Sequence, residues 1–371
     1  MNETAYWVAL RRIPGLGPLR FRRLIEHYGS AQSAWKAEAK ELHSIPGFGP
    51  RLIQTFVHHR TQIDVAREWD VTKKKGIIVL RSDQPEYPCL LKNIYDPPPV
   101  LFVLGSLQIN EPRLLAIVGS RQATVYGRTV AKRLAQDLAQ AEVGIVSGLA
   151  RGIDTAAHEG ALSSQGKTIA VLGCGVDVVY PPENQKLYAR IMESGALVSE
   201  HPPGTAPQAK HFPARNRIIS GLCQGIVVIE ARLDSGALIT ANAALEQGRE
   251  VMAVPGPIMN PNSQGVHRLI KDGAPLVESV SDIMQCMNWL VLDGSGHEQP
   301  AWPESRRQLT LEERLVLEVL TLDAKTVDQI HHESGLPLEA ILSALLLLEM
   351  SGTIQRIPGP RYLRSLLLPR D

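Results

Sequence analysis

Cysteine is scarce in this 371-residue chain, and the four present (Cys89, Cys174, Cys223 and Cys286) form no C-x-x-C pair and have no histidine at ligand spacing. That argues against a disulfide framework and against structural zinc, and fits reduced thiols in a cytosolic protein. Charge of one sign is lacking as well: 39 basic against 38 acidic residues leave a net +1. Any contact with a polyanion must therefore come from a local patch. No run approaches the ~18 to 20 apolar residues needed to span a bilayer. The first residues carry Glu3 and no long apolar stretch, so the expected location is the cytoplasm.

Catalytic signatures are missing too. Gly119-Ser120-Arg121-Gln122-Ala123 is not G-x-G-x-x-G, and Gly173-Cys174-Gly175 lacks the third glycine of a dinucleotide fingerprint. Ile145 stands two residues before Ser147, where a nucleophile elbow needs glycine. No H-E-x-x-H occurs, and His158 and His267 read as packing or surface residues on helices. What remains, 44% hydrophobic and 21% charged, suits a soluble globular protein of two or three domains.

Residues 1–65 read as short helices punctuated by two similar turns, Ile13 to Pro18 (IPGLGP) and Ile45 to Pro50 (IPGFGP), each opening an amphipathic stretch. This is a weak repeat of helix-hairpin-helix type. Its glycines and helix N-termini suit phosphate approach, with Arg20, Arg22, Arg23 and Arg51 as helpers. Equally, the Pro-Gly pairs turn the chain and the arginines form a solvated face.

From about residue 75 the grammar changes. GIIVL (76–80) and VLFVLG (100–105) read as strands extending the edge of a larger sheet. Four units of apolar strand, glycine turn and helix follow, with Asp154 or Thr155 placed to cap the second helix. Strands apolar on both faces imply a largely parallel, doubly wound sheet. Its ligands gather where strand C-termini meet helix N-termini, here the turns GSR (119–121), SGLARGID (147–154) and GCGVD (173–177). Arg121 and Arg151 are expected to aim guanidinium groups at that rim.

The stretch AKHFPARNRIISG (209–221) reads as a cationic loop. Lys210, His211, Arg215 and Arg217 surround one aromatic, Phe212, with Asn216 between the arginines. Cations for phosphates and a ring for stacking suit an unpaired polynucleotide. Asn216 alternatively fixes the loop's own backbone.

IVGSR (117–121), SGLARGID, the GxGxDxxYP run 173–181, FPxRNRIISG (212–221), SGALITA (235–241) and GRxVxAVPG (248–256) together resemble the DNA-processing protein A (DprA, also called Smf) family, over about residues 75–280. The resemblance implies an α/β fold with an extended Rossmann-like parallel sheet, an N-terminal helical (SAM/helix-hairpin-helix-like) domain over 1–65 and a C-terminal winged helix over 309–371. It implies binding of single-stranded DNA, homodimerisation, and loading of RecA onto incoming DNA during natural transformation, without turnover, metal or cofactor. The family's pocket falls here on Gly119, Ser120, Arg121, Gly148, Arg151, Lys210, Phe212, Arg215, Asn216 and Arg217.

The core domain is expected over 75–290, with a linker at 291–308. The third helix of the winged helix carries Glu339 and Glu349 and no Lys or Arg, which disfavours groove binding. Arg356, Arg361 and Arg364 on the wing are left for a backbone or a protein contact. The rival reading is a nucleotide-processing enzyme of the lysine-decarboxylase-like group, with Glu230 and Glu246 as rim carboxylates. Its P-G-G-x-G-T turn is absent, Asp234-Ser235-Gly236-Ala237-Leu238 standing in the corresponding unit.

Overall fold

A computed structural model describes residues 2–105, 109–289, 310–321, 324–350, 353–357, 359 and 361–364. The expected linker and part of the wing lie outside these. The chain divides into two compact units, Met1–Val291 and Leu292–Asp371.

The first unit is built on an eight-stranded sheet. Its strands are β1 (Ile78–Arg81), β2 (Val100–Gly105), β3 (Leu114–Val118), β4 (Gly144–Ser147), β5 (Thr168–Val171), β6 (Ala196–Ser199), β7 (Gly225–Val228) and β8 (Glu250–Ala253). Their spatial order is β1-β2-β6-β5-β4-β3-β7-β8. Strands β3 to β8 run parallel, while β2 joins β6 antiparallel and carries β1 as an antiparallel edge.

Strands β3 to β7 are buried throughout, because helices cover both faces. The period-two pleat divides each strand between two cores. Leu114, Ala116 and Val118 pack with Ile218, Ile219 and Leu222, whereas Leu115 and Ile117 pack with Leu134, Leu138 and Ile153. The edge extension works the same way: Leu101 and Val103 join the first core, and Val100 and Phe102 face Trp7, Leu10 and Phe21 of the N-terminal helices. The helical segment thus shares a core with the sheet.

Within that segment, Gly15 (φ 80°) and Gly47 (φ 89°) make left-handed turns ahead of helices Pro18–Tyr28 and Pro50–Gln62. Arg20 donates to the Gly15 carbonyl at 3.0 Å and Arg23 to that of Pro46 at 3.0 Å. Two of the four expected phosphate helpers therefore brace the turns.

The second unit has helices Leu311–Val319, Val327–Ser334 and Leu338–Met350, and a three-stranded sheet ordered Ile354–Ile357, Arg361–Arg364, Lys325–Thr326. Its third helix exposes Leu338, Leu342 and Leu346, one apolar ridge at i, i+4, i+8. No described helix is long and apolar enough to cross a membrane.

Candidate functional site

Strand order reverses between β3 and β7, the crevice where parallel sheets usually receive nucleotides. Here the chain fills that place itself. The Glu230 carboxylate, buried, accepts the Thr124 N–H at 2.9 Å and the Thr124 hydroxyl at 2.5 Å. A Cβ on Gly127 would stand 2.4 Å from the Glu230 carboxyl carbon, so only glycine lets the helix Val125–Gln140 begin there. A phosphate at this N-terminus would meet a carboxylate. The other acid of the enzyme reading, Glu246, is not on the rim: it ends the helix Gly236–Glu246, at the pole opposite the strand C-termini.

The open cavity lies beside the switch point, over the ends of β4 and β5. Arg121, the Gly148-to-Arg151 turn, the Leu172-to-Cys174 turn, Tyr180, Pro181 and Phe212 line it. The three glycine turns expected at one rim do meet there. Leu149 adopts a left-handed φ of 54°, costly for a side-chain-bearing residue. Gly152 (φ 82°) lies so close to the first turn that a Cβ would sit 2.3 Å from the Ser120 carbonyl oxygen. Ser120 is itself buried, its N–H donating to the Glu230 carbonyl at 2.7 Å, and Gly119 packs against Ile153.

The stretch expected as a loop at 209–221 is a helix, His211–Leu222, with Lys210 at its N-cap. Pro213 falls in the first turn, where no intrahelical N–H is needed, and Ile218, Ile219 and Leu222 bury one face against the sheet. Helical geometry then scatters the residues that a loop would have gathered.

Phe212 reaches the cavity. The Arg121 guanidinium carbon stands 5.2 Å from its ring centroid, and a Cβ on Gly173 would come within 2.9 Å of the ring. Lys210 is exposed, and neither it nor Arg121 has a carboxylate partner among the described residues. Arg151 is exposed and paired with Glu183, its Nε donating at 3.0 Å and its Nη2 contacting the same oxygen.

Arg215 points the other way. It is 3% exposed, and its guanidinium donates to the carbonyls of Gly148, at 2.7 Å, and Val171. Burial lowers its pKa to about 10, so it stays charged at neutral pH. Asp154 holds the same turn from the other side, accepting the N–H groups of Gly148 (3.1 Å) and Ala150 (3.3 Å). It is therefore not the expected helix cap, and neither is Thr155: Gly152 occupies that position. Burial raises the Asp154 pKa, and the Arg215 charge opposes that shift. A Cβ on Gly148 would collide with the Arg215 guanidinium, at 2.5 Å. Arg215 is thus an internal strut beneath the cavity.

Arg217 does not line the cavity. It pairs with Asp96 at 2.9 Å and with buried Glu200 at 3.0 Å, and Glu200 also meets Arg11 of the first helix at 3.5 Å. Burial alone would lower the Arg217 pKa, but Glu200 and then Asp96 outweigh it and the value is raised. Asn216 donates to the Gly236 carbonyl at 3.2 Å, the backbone-fixing role left open above. The sequence reading did not single out Tyr180 or Glu183, although the tyrosine lies within the YP end of a rim motif.

A family model described as DNA recombination-mediator protein A matches residues 78–288. The chain belongs to the DprA family. Models for the DprA-like N-terminal HHH domain and the DprA winged helix domain match residues 1–37 and 299–360. Protein Smf of Escherichia coli is 41% identical over 365 residues, covering 97% of this chain and 95% of the relative. The DprA family's solved members agree in fold. DprA from Streptococcus pneumoniae superposes with a TM-score of 0.69 at 38% identity, covering 77% of this chain and 98% of that one. DNA processing protein A from Helicobacter pylori, whose structure describes a single-stranded DNA binding mode, gives 0.52 at 28% identity, covering 57% and 96%.

Proposed function

We propose that the cavity over β4 and β5 binds single-stranded DNA, and that the chain acts without turnover as a recombination mediator. In this reading Arg121, Arg151 and Lys210 take phosphates, and the ring of Phe212 contributes stacking. Gly119, Ser120 and Gly148 shape the backbone that lets a strand approach. Arg215, Asn216 and Arg217 hold that backbone in place instead of touching DNA.

The observation that carries the reading is a cation and a ring juxtaposed at a glycine-lined rim, Arg121 over Phe212. A basic groove tracks a backbone while aromatic faces receive bases of any sequence. The Helicobacter pylori relative's single-strand binding mode supports the same class of ligand. Glu230 at the switch point weighs against the nucleotide-enzyme alternative, whose substrate phosphate would need that helix N-terminus.

Family membership extends the proposal to protecting incoming DNA and loading RecA onto it during natural transformation, by a cytoplasmic homodimer. RecA-catalysed strand exchange, run with single-strand-binding protein already on the DNA, tests it. Wild type relieves the block and Lys210→Ala does so poorly. A wild-type protein that leaves the block intact would remove the loading role.

A further inference from the structure

The two left-handed turns of the N-terminal segment are copies of one another. Leu10, Ile13, Leu16, Phe21 and Leu24 recur 32 residues on as Leu42, Ile45, Phe48, Ile53 and Phe56, and all ten are buried in one core. The backbone repeats as well: the Phe21 N–H donates to the Gly17 carbonyl at 2.9 Å and the Ile53 N–H to that of Gly49 at 3.1 Å. Contacts between the copies are reciprocal. A Cβ on Gly15 would stand 3.2 Å from Leu52, and one on Gly47 would stand 3.9 Å from Arg20, the residue that matches Leu52 in the first copy. Such an exchange of partners is the mark of a twofold axis. The turns therefore lie side by side about a local dyad.

Two glycines of this pair are not required by the fold. Gly15 and Gly47 need their positive φ, but Gly17 and Gly49 adopt φ −70° and −79°, open to any residue, and a Cβ on either would meet nothing within 4 Å. Each is an N-cap without a side-chain acceptor, where serine or aspartate would hold the helix better. A bare position repeated at both turns suits a backbone that approaches closely from outside.

The charge around the turns has one sign. Residues 4–25 and 42–63 contain no Asp or Glu. Arg20 and Arg23 converge on Gly47, each donating to a turn carbonyl, and Arg51 stands in the first turn of the second copy's helix. None of these three arginines pairs with a carboxylate among the described residues. The segment also lacks what an unpaired base or a lipid would need: among the described residues up to Ile94, no large apolar or aromatic side chain is exposed.

We propose that this face binds the sugar–phosphate backbones of duplex DNA, one strand to each turn, with Arg20, Arg23 and Arg51 neutralising the phosphates. Two equivalent turns about a local dyad match the two antiparallel strands of a double helix, which are themselves related by dyads. The proposal goes beyond the single-strand reading of the cavity and does not rest on it.

The test is binding of the full chain to a short blunt-ended DNA duplex and to oligo-thymidine across a salt series. Arg51→Ala flattens the duplex log-log slope by about 0.9, a loss of about 8-fold at 0.1 M salt against a 1 M reference, and leaves oligo-thymidine binding as in wild type. Gly17→Asp with Gly49→Asp supplies the missing caps while setting carboxylates where phosphates would lie. Its urea midpoint stays or rises, and its duplex affinity falls further than that of Arg51→Ala. Wild-type duplex binding in both variants overturns the proposal, as does a wild-type chain that does not retain the duplex. Equal losses on both ligands overturn the choice of duplex. A duplex loss in Arg121→Ala that neither turn variant shares places the duplex at the cavity and overturns the proposal too, whereas failure of the cavity reading shows as unchanged oligo-thymidine binding in Arg121→Ala.

Discussion

Replacing Arg215 with methionine, which keeps the volume and removes the charge, separates a strut from a ligand. Its guanidinium supplies hydrogen bonds to two backbone carbonyls in a place that water does not reach. A buried acceptor left without its donor costs about 1–3 kcal/mol, so two give about 2–6 kcal/mol. The buried Asp154 carboxylate also loses the charge that opposes its desolvation. Breaking such an arrangement on one side typically costs about 3–5 kcal/mol, and that is the expected loss on urea unfolding. The double variant Arg215→Met with Asp154→Leu removes both charges and is expected to recover part of it. Binding is then measured where the single variant is still folded. A strut makes no phosphate contact, so the log-log salt slope for oligo-thymidine stays at the wild-type value. A direct contact would flatten it by about 0.7. A slope flattened by that amount, with stability changed by less than about 1 kcal/mol, would refute the assignment.

Glu200→Gln leaves Arg11 and Arg217 facing each other without their shared carboxylate, and is expected to cost about 3–5 kcal/mol on unfolding; a loss under about 1 kcal/mol would contradict this. Burial pushes the Glu200 pKa up, but Arg217 and Arg11 hold it below the ordinary 4.5. Its contribution is therefore complete above about pH 4.5 and lost as pH falls through the depressed value, an acid limb that Glu200→Gln flattens. His158 adds to acid sensitivity, because burial lowers its pKa to about 3 and its protonation below its ordinary 6.5 favours the unfolded chain. His158→Gln is expected to reduce the stability lost between about pH 6.5 and 3. Glu183 occupies Arg151 as a phosphate would, so Glu183→Gln is expected to tighten oligo-thymidine binding by up to about fivefold and steepen its salt slope. Weaker binding would show that the carboxylate supports the site.

The sheet was readable because its strands are apolar on both faces, a pattern that only a parallel, doubly covered sheet sustains. The rim followed, since glycine turns after successive strands leave few alternatives. The segment 209–221 was harder. Its polar first half and Pro213 suggest a loop, and only Ile218, Ile219 and Leu222 packing on the sheet make it a helix. With that helix, Arg215 turned inward and Arg217 toward the N-terminal helices, although both look like ligands in a linear string. Glu230 and Glu246 illustrate the same limit. One fills the switch point through contacts with Thr124, a hundred residues away, and the other sits at the far end of its helix. Spacing along the chain carries no signal for either. Tyr180 did carry one, an aromatic inside a rim motif.

The salt dependence of oligo-thymidine binding by Arg121→Ala, set beside wild type, probes the proposed cavity most directly. Binding is expected to weaken, with a log-log slope less steep by about 0.7 and the fold intact. Wild-type affinity and slope in both Arg121→Ala and Lys210→Ala would contradict a DNA site over β4 and β5.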